Sequence, residues 1–320
     1  MKLLEKATGV SEFIVAINLD IRGFSNFSKK VESLDVAMFI KRVYIKIVDK
    51  YFRNASFFKP TGDGLLITIS YTEDNLTQTV RGTMVSCFNV LSDFSLFCAN
   101  DPMINFEVPN KIGIGLSRGT ACCLRSGNKT LDYSGHVLNM ASRLMDIARP
   151  SGIVFDDSFG IKLLSEEQIK HFKKDSIYLK GIAEREPVNI YYTDKLICIS
   201  PLNKQPLDKI RWNTIADTRT LRQIRDLGPN FFYPLEKEPI DPNKIEVIIE
   251  HPMVIKGKMQ KDAIFSCPFY NFRWFSEAGV INVNLSFDIL ANQLIERKVN
   301  PDVPVTIKIS YPENNIKPKI

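Results

Sequence analysis

Two aspartates stand where an apolar segment meets a glycine-containing turn. Asp20 ends one apolar run, and Asp63 lies between Gly62 and Gly64. An aspartate beside exposed backbone amides can hold a metal ion and a phosphate together. Aspartate is also an ordinary turn residue, however, and Asp-Gly is an ordinary hairpin signal. If the strand that begins at Ser56 neighbours the first strand, the two carboxylates converge and need a cation to neutralise them.

Asn139 and Arg143 form a second polar pair, on a predicted helix. They are four residues apart and therefore share one helix face, while the other face is apolar. This spacing fits a functional pair, and it equally fits a solvated stripe on a helix that packs against the core. The sequence pattern alone leaves both interpretations open.

Alternating strand-like and helix-like segments position these residues within residues 10–195. Apolar alternation and turn signals predict strands at Glu12–Leu19, in a hairpin over Ser56–Ser70, and at Asn105–Gly115, Arg118–Leu124, Ser176–Leu179 and Val188–Tyr192. Helical spacing predicts helices at Val36–Tyr51, at Glu73–Phe97 and between Ser134 and Pro150. This order predicts an α+β fold, a ferredoxin-like split βαβ sheet with helices on one face.

These segments assign residues 1–195 to the first domain, and the remainder of the chain predicts a smaller second domain. Residues 196–240 are rich in proline and charge, which predicts a linker with one short helix at Thr218–Asp226. Period-two segments return further along the chain and predict a β-rich sensor or regulatory domain over residues 241–320.

Composition places the chain among ordinary globular proteins. It has 320 residues, of which 44% are hydrophobic and 24% charged, and its formal charge of +6 gives no argument for nucleic-acid binding. No stretch approaches the roughly 18 apolar residues that span a bilayer, and the first residues lack the apolar region of a signal peptide. Six cysteines without a Cys-x-x-Cys pair favour reduced thiols. We therefore expect a cytoplasmic protein without nucleic-acid or membrane partners.

Three motifs together carry a family resemblance. The sequence has DIRGF at residues 20–24, KPTGD at residues 59–63 and DYSGHVLNMASR at residues 132–143. In this order and spacing they resemble the class III adenylyl and guanylyl cyclases. That family combines an Asp-Ile-x-Gly-Phe start, a Lys-x-x-Gly-Asp hairpin and an Asp-x-x-Gly-x-x-x-Asn-x-Ala-x-Arg segment. Residues 111–119, KIGIGLSRG, also resemble the family's paired strands, so the resemblance covers about residues 10–195.

The resemblance implies a metal-dependent cyclisation of a nucleoside triphosphate. Asp20, Asp63 and the Ile21 carbonyl match the family's metal-binding groups. Two Mg²⁺ or Mn²⁺ ions per site lower the cost of forming the ribose 3′-alkoxide and of releasing pyrophosphate. No histidine or cysteine needs to act, so we expect the three histidines to be incidental.

The resemblance also implies roles for residues that contact the substrate. Lys59 and Asp132 match the pair that touches the base, and Asn139 matches the residue that orients the ribose. Arg143 matches the arginine that stabilises charge on the α-phosphate, and Lys180 matches a lysine that holds the β- and γ-phosphates. In the family these groups and the metal-binding groups come from different subunits. The resemblance therefore implies a homodimer with two active sites across its interface.

The identity of the base rests on four residues. In the family, Lys with Asp accompanies adenine and Glu with Cys accompanies guanine, so Lys59 and Asp132 disfavour guanine. The same two side chains can also satisfy cytosine or uracil. Strand alternation directs only one of Phe57 and Phe58 into the pocket, where an aromatic ring shortens the site against purines. The alternative is that both rings pack in the core.

The domain order favours a pyrimidine substrate. A cyclase domain followed by a small β-rich domain resembles the cyclases of bacterial Pycsar antiphage systems, which make cyclic UMP or cyclic CMP as second messengers. This resemblance predicts UTP as the substrate, with CTP next. The alternatives are an adenylate cyclase with an unrelated regulatory domain and a catalytically inactive nucleotide-binding module. A diguanylate-type cyclase is disfavoured because residues 61–64 read TGDG, which is not a GGDEF-like hairpin.

Overall fold

The computed structural model describes residues 5–99, 101–220, 222–223, 230–250, 253–255, 258–260, 264–265, 270–285, 302 and 304–313. The chain forms two compact units, Met1–Leu207 and Asp208–Ile320.

The first unit combines eight strands with five α-helices among its described residues. The strands are β1 (Thr8–Ile21), β2 (Phe57–Pro60), β3 (Gly64–Ser70), β4 (Ile112–Ser126), β5 (Lys129–Ser134), β6 (Gly152–Asp156), β7 (Phe172–Leu179) and β8 (Ala183–Thr193). The helices are α1 (Phe24–Phe27), α2 (Ser33–Lys46), α3 (Leu76–Asp93), α4 (His136–Ile147) and α5 (Glu166–Ile169). A π-helical turn, Ile47–Tyr51, extends α2, and 3₁₀ turns lie at Phe94–Leu96, Asp157–Phe159, Ile161–Leu163 and Pro201–Lys204.

These strands form one mixed sheet in the order β2-β3-β1-β4-β6-β8-β7, with β5 paired to β4. All pairs are antiparallel except β4 with β6, which are parallel and joined through α4. The two longest described strands, β1 and β4, lie side by side at the centre of the sheet, and each has six consecutive buried residues, which places it between two covering layers. The predicted α+β class is confirmed.

Helices cover both faces of the sheet, so the prediction of helices on one face is wrong. Val15 and Ile17 of β1 pack in the same cluster as residues of α2 and α3. Ile14 and Ala16, which point the other way, pack with residues of α4. The central strands are buried on both faces, and that requires an apolar layer on each side.

Glycines on β4 let α4 approach the sheet. A Cβ at Gly115 would lie 2.8 Å from Met145 Cα, closer than side chains tolerate. The helix places Val137, Leu138, Met140, Ala141 and Leu144 against the sheet, all buried. Its strong apolar stripe therefore matches a strand surface that carries no side chains at the contact.

The polar pair Ser117-Arg118 does not break β4, so the two predicted strands, Asn105–Gly115 and Arg118–Leu124, form one strand. It begins at Ile112, and the prediction of a strand over residues 105–111 is wrong. Pairing with β1 runs without interruption from Ile112 to Arg125. The Ser117 hydroxyl donates to the buried Asp156 carboxylate at 3.3 Å, and the Arg118 guanidinium donates to the Tyr71 hydroxyl at 3.2 Å. Side-chain partners thus hold both polar residues inside the sheet, although the buried Arg118 Nε has no hydrogen-bond partner among the described residues. The sequence pattern had indicated a break between two strands here.

The second unit is a smaller β-rich body, as predicted. Its described strands are β9 (Arg211–Thr220), β10 (Asn230–Pro234), β11 (Glu246–Glu250), β12 (Met253–Ile255), β13 (Lys258–Gln260), β14 (Ile264–Phe265), β15 (Tyr270–Phe275), β16 (Val280–Leu285) and β17 (Pro304–Glu313). Its described 3₁₀ turns are Pro242–Lys244 and Ser276–Ala278, and a third, Leu207–Lys209, begins at the last residue of the first unit. The sheets are β14-β11-β17-β9, β10-β16-β15 and β12-β13. A separate core includes Val247, Ile281, Ile309 and Tyr311.

Two strands lie within the predicted linker, residues 196–240, so that part of the prediction is wrong. β9 pairs with β17 along its whole length, and β10 pairs with β16. Of the predicted helix Thr218–Asp226, residues 218–220 belong to β9, residues 222–223 are helical, and residues 221 and 224–226 lie outside the described residues. The strand was missed because only Ile215 of β9 packs against the core, which leaves a weak hydrophobic period.

None of the helices in the described part of the chain is long and apolar enough to cross a bilayer. The five cysteines in that part of the chain are free thiols, and Cys267 lies outside it.

Candidate functional site

Asp20 and Asp63 meet at one end of the central sheet. β1 pairs with β3 so that Asp20 lies opposite Gly64, and the Ile21 N–H donates to the Asp63 carbonyl oxygen at 3.1 Å. β1 therefore pairs with β3, which follows the Asp63 turn, and not with β2, which precedes it. The end of β1 and the start of β3 still lie at the same end of the sheet, so the two aspartates converge as the sequence predicted.

The oxygen atoms of this pair fit a hard divalent cation. Burial raises the pKa of Asp20; the Arg22 charge opposes this effect and the Asp63 charge adds to it. The N–H and C=O of a strand residue point to the same side, so Ile21 directs its carbonyl toward the Asp63 turn as well. Carboxylate and carbonyl oxygens suit Mg²⁺ or Mn²⁺. Among the described residues, no cluster of three or more His, Cys, Asp or Glu side chains exists. Water and substrate phosphate oxygens can complete the coordination of such an ion.

Backbone geometry and one tyrosine hold the turn that carries Asp63. Gly62 has φ +91°, which favours glycine, and a Cβ at Gly64 would lie 2.5 Å from the Leu19 carbonyl oxygen. The Tyr44 hydroxyl of α2 lies 2.6 Å from the Gly62 oxygen and 2.8 Å from the Gly64 oxygen. Burial, followed by the two nearby carboxylates, raises the pKa of Tyr44 to about 12. The hydroxyl therefore stays protonated and can donate to this turn.

Lys59 and Asp132 form an ion pair beside this region. Lys59 lies on β2 and Asp132 on β5, and Lys59 Nζ lies 2.5 Å from Asp132 Oδ2. Their side chains are 49% and 40% exposed, so a ligand can reach both. An exposed pair of this kind contributes little to stability. The structure therefore brings the two predicted base-contacting residues together while leaving them open to solvent.

Phe57 and Phe58 face opposite sides of β2. Lys59 lies opposite Leu66 of β3, and Leu66 packs in the same cluster as Tyr133, with the half-buried Phe57 against it. The Phe57 and Tyr133 ring centroids are 5.6 Å apart. Phe58 is 50% exposed and, by strand alternation, points away from Lys59. Phe57 is therefore the ring that shares a face with Lys59.

Asn139 and Arg143 lie on the exposed face of α4. The ion-pair partner of Arg143 is Asp146, with Nη1 and Oδ2 3.6 Å apart. Neither Asn139 nor Arg143 contacts Asp20 or Asp63 within the described chain. Exposure agrees with both interpretations of the pair, but it means that one chain alone does not close these two residues over the aspartates.

Lys180 lies in the turn between β7 and β8, next to Gly181, and is exposed. Because β7 and β2 are the opposite edges of the sheet, Lys180 and Lys59 lie at opposite ends of the strand order in one chain. The structure brings Lys180 into contact with none of the other candidate residues described here.

Arg22 and Tyr44 are site residues that the sequence analysis did not select. Arg22 contacts Asp20, and Tyr44 contacts the Asp63 turn. A charged residue directly after a buried strand was a usable signal for Arg22, because a buried cation needs a partner. Tyr44 gave no signal, since an aromatic residue at helical spacing reads as core.

Residues 11–195 match the family model described as Adenylate and Guanylate cyclase catalytic domain. The solved adenylyl cyclase CyaB from P. aeruginosa is similar, with 17% identity over 58% of this chain and 95% of that chain, at a TM-score of 0.47. The solved guanylyl cyclase Cya2 has 16% sequence identity over 59% of this chain and 94% of that chain, at a TM-score of 0.45. The guanylate cyclase domain of RhGC from Catenaria anguillulae, solved in complex with GTP, has 18% sequence identity over 57% of this chain and 97% of that chain, at a TM-score of 0.41. No curated protein matches the sequence.

Proposed function

Since this chain belongs to the adenylate and guanylate cyclase catalytic domain family, we propose that it converts a pyrimidine nucleoside triphosphate to its 3′,5′-cyclic monophosphate and pyrophosphate. UTP is the favoured substrate and CTP the next. The observation that carries the reaction is the convergence of Asp20, Ile21 and Asp63 at one sheet end. These atoms fit the divalent ions, generally Mg²⁺ or Mn²⁺, that class III cyclases use.

The reaction joins the ribose 3′-oxygen to the α-phosphorus, breaks the bond from that phosphorus to pyrophosphate and releases the 3′-hydroxyl proton. Asp20 and Asp63 would hold the divalent ions, which when bound would supply positive charge for the ribose 3′-oxygen and the leaving pyrophosphate. Arg143 adds a fixed positive charge at the α-phosphate, where negative charge increases in the transition state. Asn139 orients the ribose, and Lys180 holds the β- and γ-phosphates.

The base is read by Lys59 and Asp132. In uracil, the Lys59 ammonium donates to a ring carbonyl and Asp132 accepts from the ring N–H. Phe57 supports the choice of a pyrimidine, because its ring shares a strand face with Lys59 and is backed by Tyr133. A pocket shortened in this way excludes the longer purine ring.

An adenylate cyclase is the second candidate. The observation that favours it is the Lys59–Asp132 contact, since this residue pair accompanies adenine in the family. The two candidates are separated by incubating the protein with ATP, GTP, CTP and UTP together with Mn²⁺ and resolving the products by mass. We expect cyclic UMP first and cyclic CMP next. Preference for ATP would overturn the pyrimidine assignment and leave the cyclase reaction intact. No product from any triphosphate would favour the inactive binding module.

The product acts as a second messenger in antiphage defence in this proposal. Its support is the domain order, a cyclase unit followed by a smaller β-rich unit with its own core, as in Pycsar cyclases. A host carrying the chain should resist phage only when the chain makes its cyclic pyrimidine nucleotide. Equal resistance from an inactive Asp63→Asn variant would contradict this role.

The enzyme works as a homodimer with two sites, each built from both chains. Cyclase domains of this family act as dimers on nucleoside triphosphates. The separation of Asn139 and Arg143 from the aspartates within one chain supports the same arrangement here. The test mixes an Asp63→Ala chain with an Arg143→Ala chain. An equilibrated equimolar mixture should recover about one quarter of the wild-type activity, because half of its dimers are heterodimers and each heterodimer has one intact site of two. No recovery would place each site within one chain.

A further inference from the structure

Arg22 joins the metal-binding aspartate to helix α4. Its Nη1 forms an ion pair with Asp20 Oδ2, and its Nη2 donates to the Met145 carbonyl and, at 3.1 Å, to the Ala148 carbonyl. The side chain is only 7% exposed. One guanidinium therefore contacts the end of β1 and the C-terminal end of α4 at the same time.

A glycine on β4 makes room for this guanidinium. A Cβ at Gly113 would lie 2.5 Å from Arg22 Cζ, closer than real side chains pack. Glycine inside a strand weakens the strand and marks a close approach of another group. At Gly113 the approaching group is the Arg22 side chain, so the slot and its occupant fit each other.

The α4 end of the contact lies at the C-terminus of the helix. The Ala148 carbonyl follows the last helical residue, and the Met145 carbonyl also accepts from the Ala148 N–H at 3.0 Å. The last carbonyls of a helix lack intrahelical partners, and a cation there also interacts favourably with the helix dipole. Arginine suits this position because its planar fork can serve two acceptors on one side and a carboxylate on the other. Lysine, a point charge on a flexible stem, cannot hold all three groups in one geometry.

We propose that Arg22 is a positioning residue for both halves of the active machinery. It orients Asp20 for the metal ion, and it fixes α4, which carries Asn139 and Arg143. The inference rests on the proposed cross-dimer sites, where the two halves of one chain serve different active sites. Arg22 therefore acts on the metal half of one site and on the transition-state half of the other.

The first test measures Arg22→Met and Arg22→Lys as full-length enzymes. We expect Arg22→Met to raise the half-saturating Mn²⁺ concentration and to lower kcat at saturating Mn²⁺, each by about tenfold, as is typical for residues behind metal ligands. Arg22→Lys should recover part of the Mn²⁺ dependence and little of kcat. Gly113→Ala, which keeps Arg22 and fills its slot, should reproduce the Arg22→Met profile. An unchanged kcat at saturating Mn²⁺ would overturn the role at α4.

The matched control is Arg118→Met. Arg118 is another arginine of this sheet, and it contacts Tyr71 instead of the candidate site. It should leave the half-saturating Mn²⁺ concentration unchanged even if it lowers thermal stability. A shift as large as that of Arg22→Met would show that general loosening of the sheet explains both, and the proposal would fall.

The second test assigns each effect to a chain in heterodimers that have one intact site. The Arg143→Ala chain supplies the metal half and the Asp63→Ala chain supplies the transition-state half. Arg22→Met in the first chain should raise the half-saturating Mn²⁺ concentration about tenfold, and in the second chain it should lower kcat about tenfold without changing the Mn²⁺ dependence. No effect from the second placement would overturn the proposal. Absent activity in the parent heterodimer would instead count against the cross-dimer sites, and the first test then decides the role of Arg22 alone.

Discussion

Asp63 is held by its backbone, while its side chain is free to bind. The turn is fixed by Gly62, Gly64 and the Tyr44 hydroxyl, and the Asp63 side chain is half-buried. A substitution that keeps the side-chain shape should therefore leave the fold unchanged and remove only the charge that binds a cation.

We expect Asp63→Asn to lower cyclase activity at least about 100-fold, because a metal ligand is lost. Its free energy of unfolding should change by less than about 0.5 kcal/mol, as for ordinary surface positions. The measurements are cyclic nucleotide formation with Mn²⁺ and denaturant unfolding. Asp49→Asn is the control, since Asp49 is exposed after α2 and away from the site. Near-normal activity of Asp63→Asn would contradict the metal site.

The two phenylalanines of β2, Phe57 and Phe58, provide a variant and its matched control for testing which base the site prefers. Phe57→Ala should raise the ATP rate relative to the UTP rate by about tenfold or more, because pocket size discriminates substrates by roughly 1–3 kcal/mol per group. Phe58→Ala should leave the ratio unchanged, because its side chain points to the other face of the strand. Competition assays with both triphosphates give the ratio directly. An equal shift in both variants would exclude Phe57 as the specificity residue.

At the scale of elements, the contact between α4 and β4 decides where Asn139 and Arg143 lie. The helix packs against β4 at Gly115, so its distance from the sheet depends on the missing side chain there. Any added atom there must move the helix and the residues on it.

Gly115→Ala is therefore expected to lower the free energy of unfolding by about 1–3 kcal/mol, the usual cost of overpacking. Activity should fall further than stability explains, because α4 shifts. Gly82→Ala is the matched control: Gly82 lies inside α3 with open space around it, and the change should stabilise by about 0.5–1 kcal/mol. Thermal unfolding and kcat of both variants test this. A neutral Gly115→Ala would mean that the close packing does not constrain the helix.

Helices and strands with a strong hydrophobic periodicity were predictable from the sequence. Strands that are stabilised mainly by pairing with other strands were not. β1 and α4 have clear apolar patterns, and their positions agree with the predictions within a few residues. β5 and β6 were missed. β5 carries polar residues and is stabilised by pairing with β4, while β6 is short and wholly buried between β4 and β8. Such strands owe their existence to neighbours that are distant in sequence.

At the scale of the whole molecule, the first unit extends past the last predicted strand. Ile197 and Ile199 pack against the cluster under α4, and the Cys198 N–H donates to the Arg149 carbonyl oxygen at 3.0 Å. Asn203 also donates to the Tyr178 carbonyl at 2.9 Å. The segment after residue 195 thus belongs to the first core, where the sequence indicated a linker.

We expect a fragment ending at residue 207 to fold alone and to be more stable than one ending at residue 195. The difference should be about 1–3 kcal/mol, from the two half-buried isoleucines and the lost hydrogen bonds. Urea unfolding of both fragments measures it. Equal stability would mean that the unit ends at residue 195, as the sequence predicted.

The motif residues Asp20, Asp63, Asn139 and Arg143, and the strands and helices that carry them, followed from the sequence itself, because local periodicity and glycine-aspartate turns depend on neighbours in the chain. The family followed from the same motifs. Only the tertiary structure decided that Phe57 packs against Tyr133, that helices cover both faces of the sheet, and that Arg22 connects Asp20 to α4. Those facts depend on strand register and on contacts more than 100 residues apart in the chain, such as that of Arg22 with Ala148. No local pattern in the sequence shows such contacts. They depend on the register of the paired strands, because a shift of one residue moves every side chain of a strand to the opposite face.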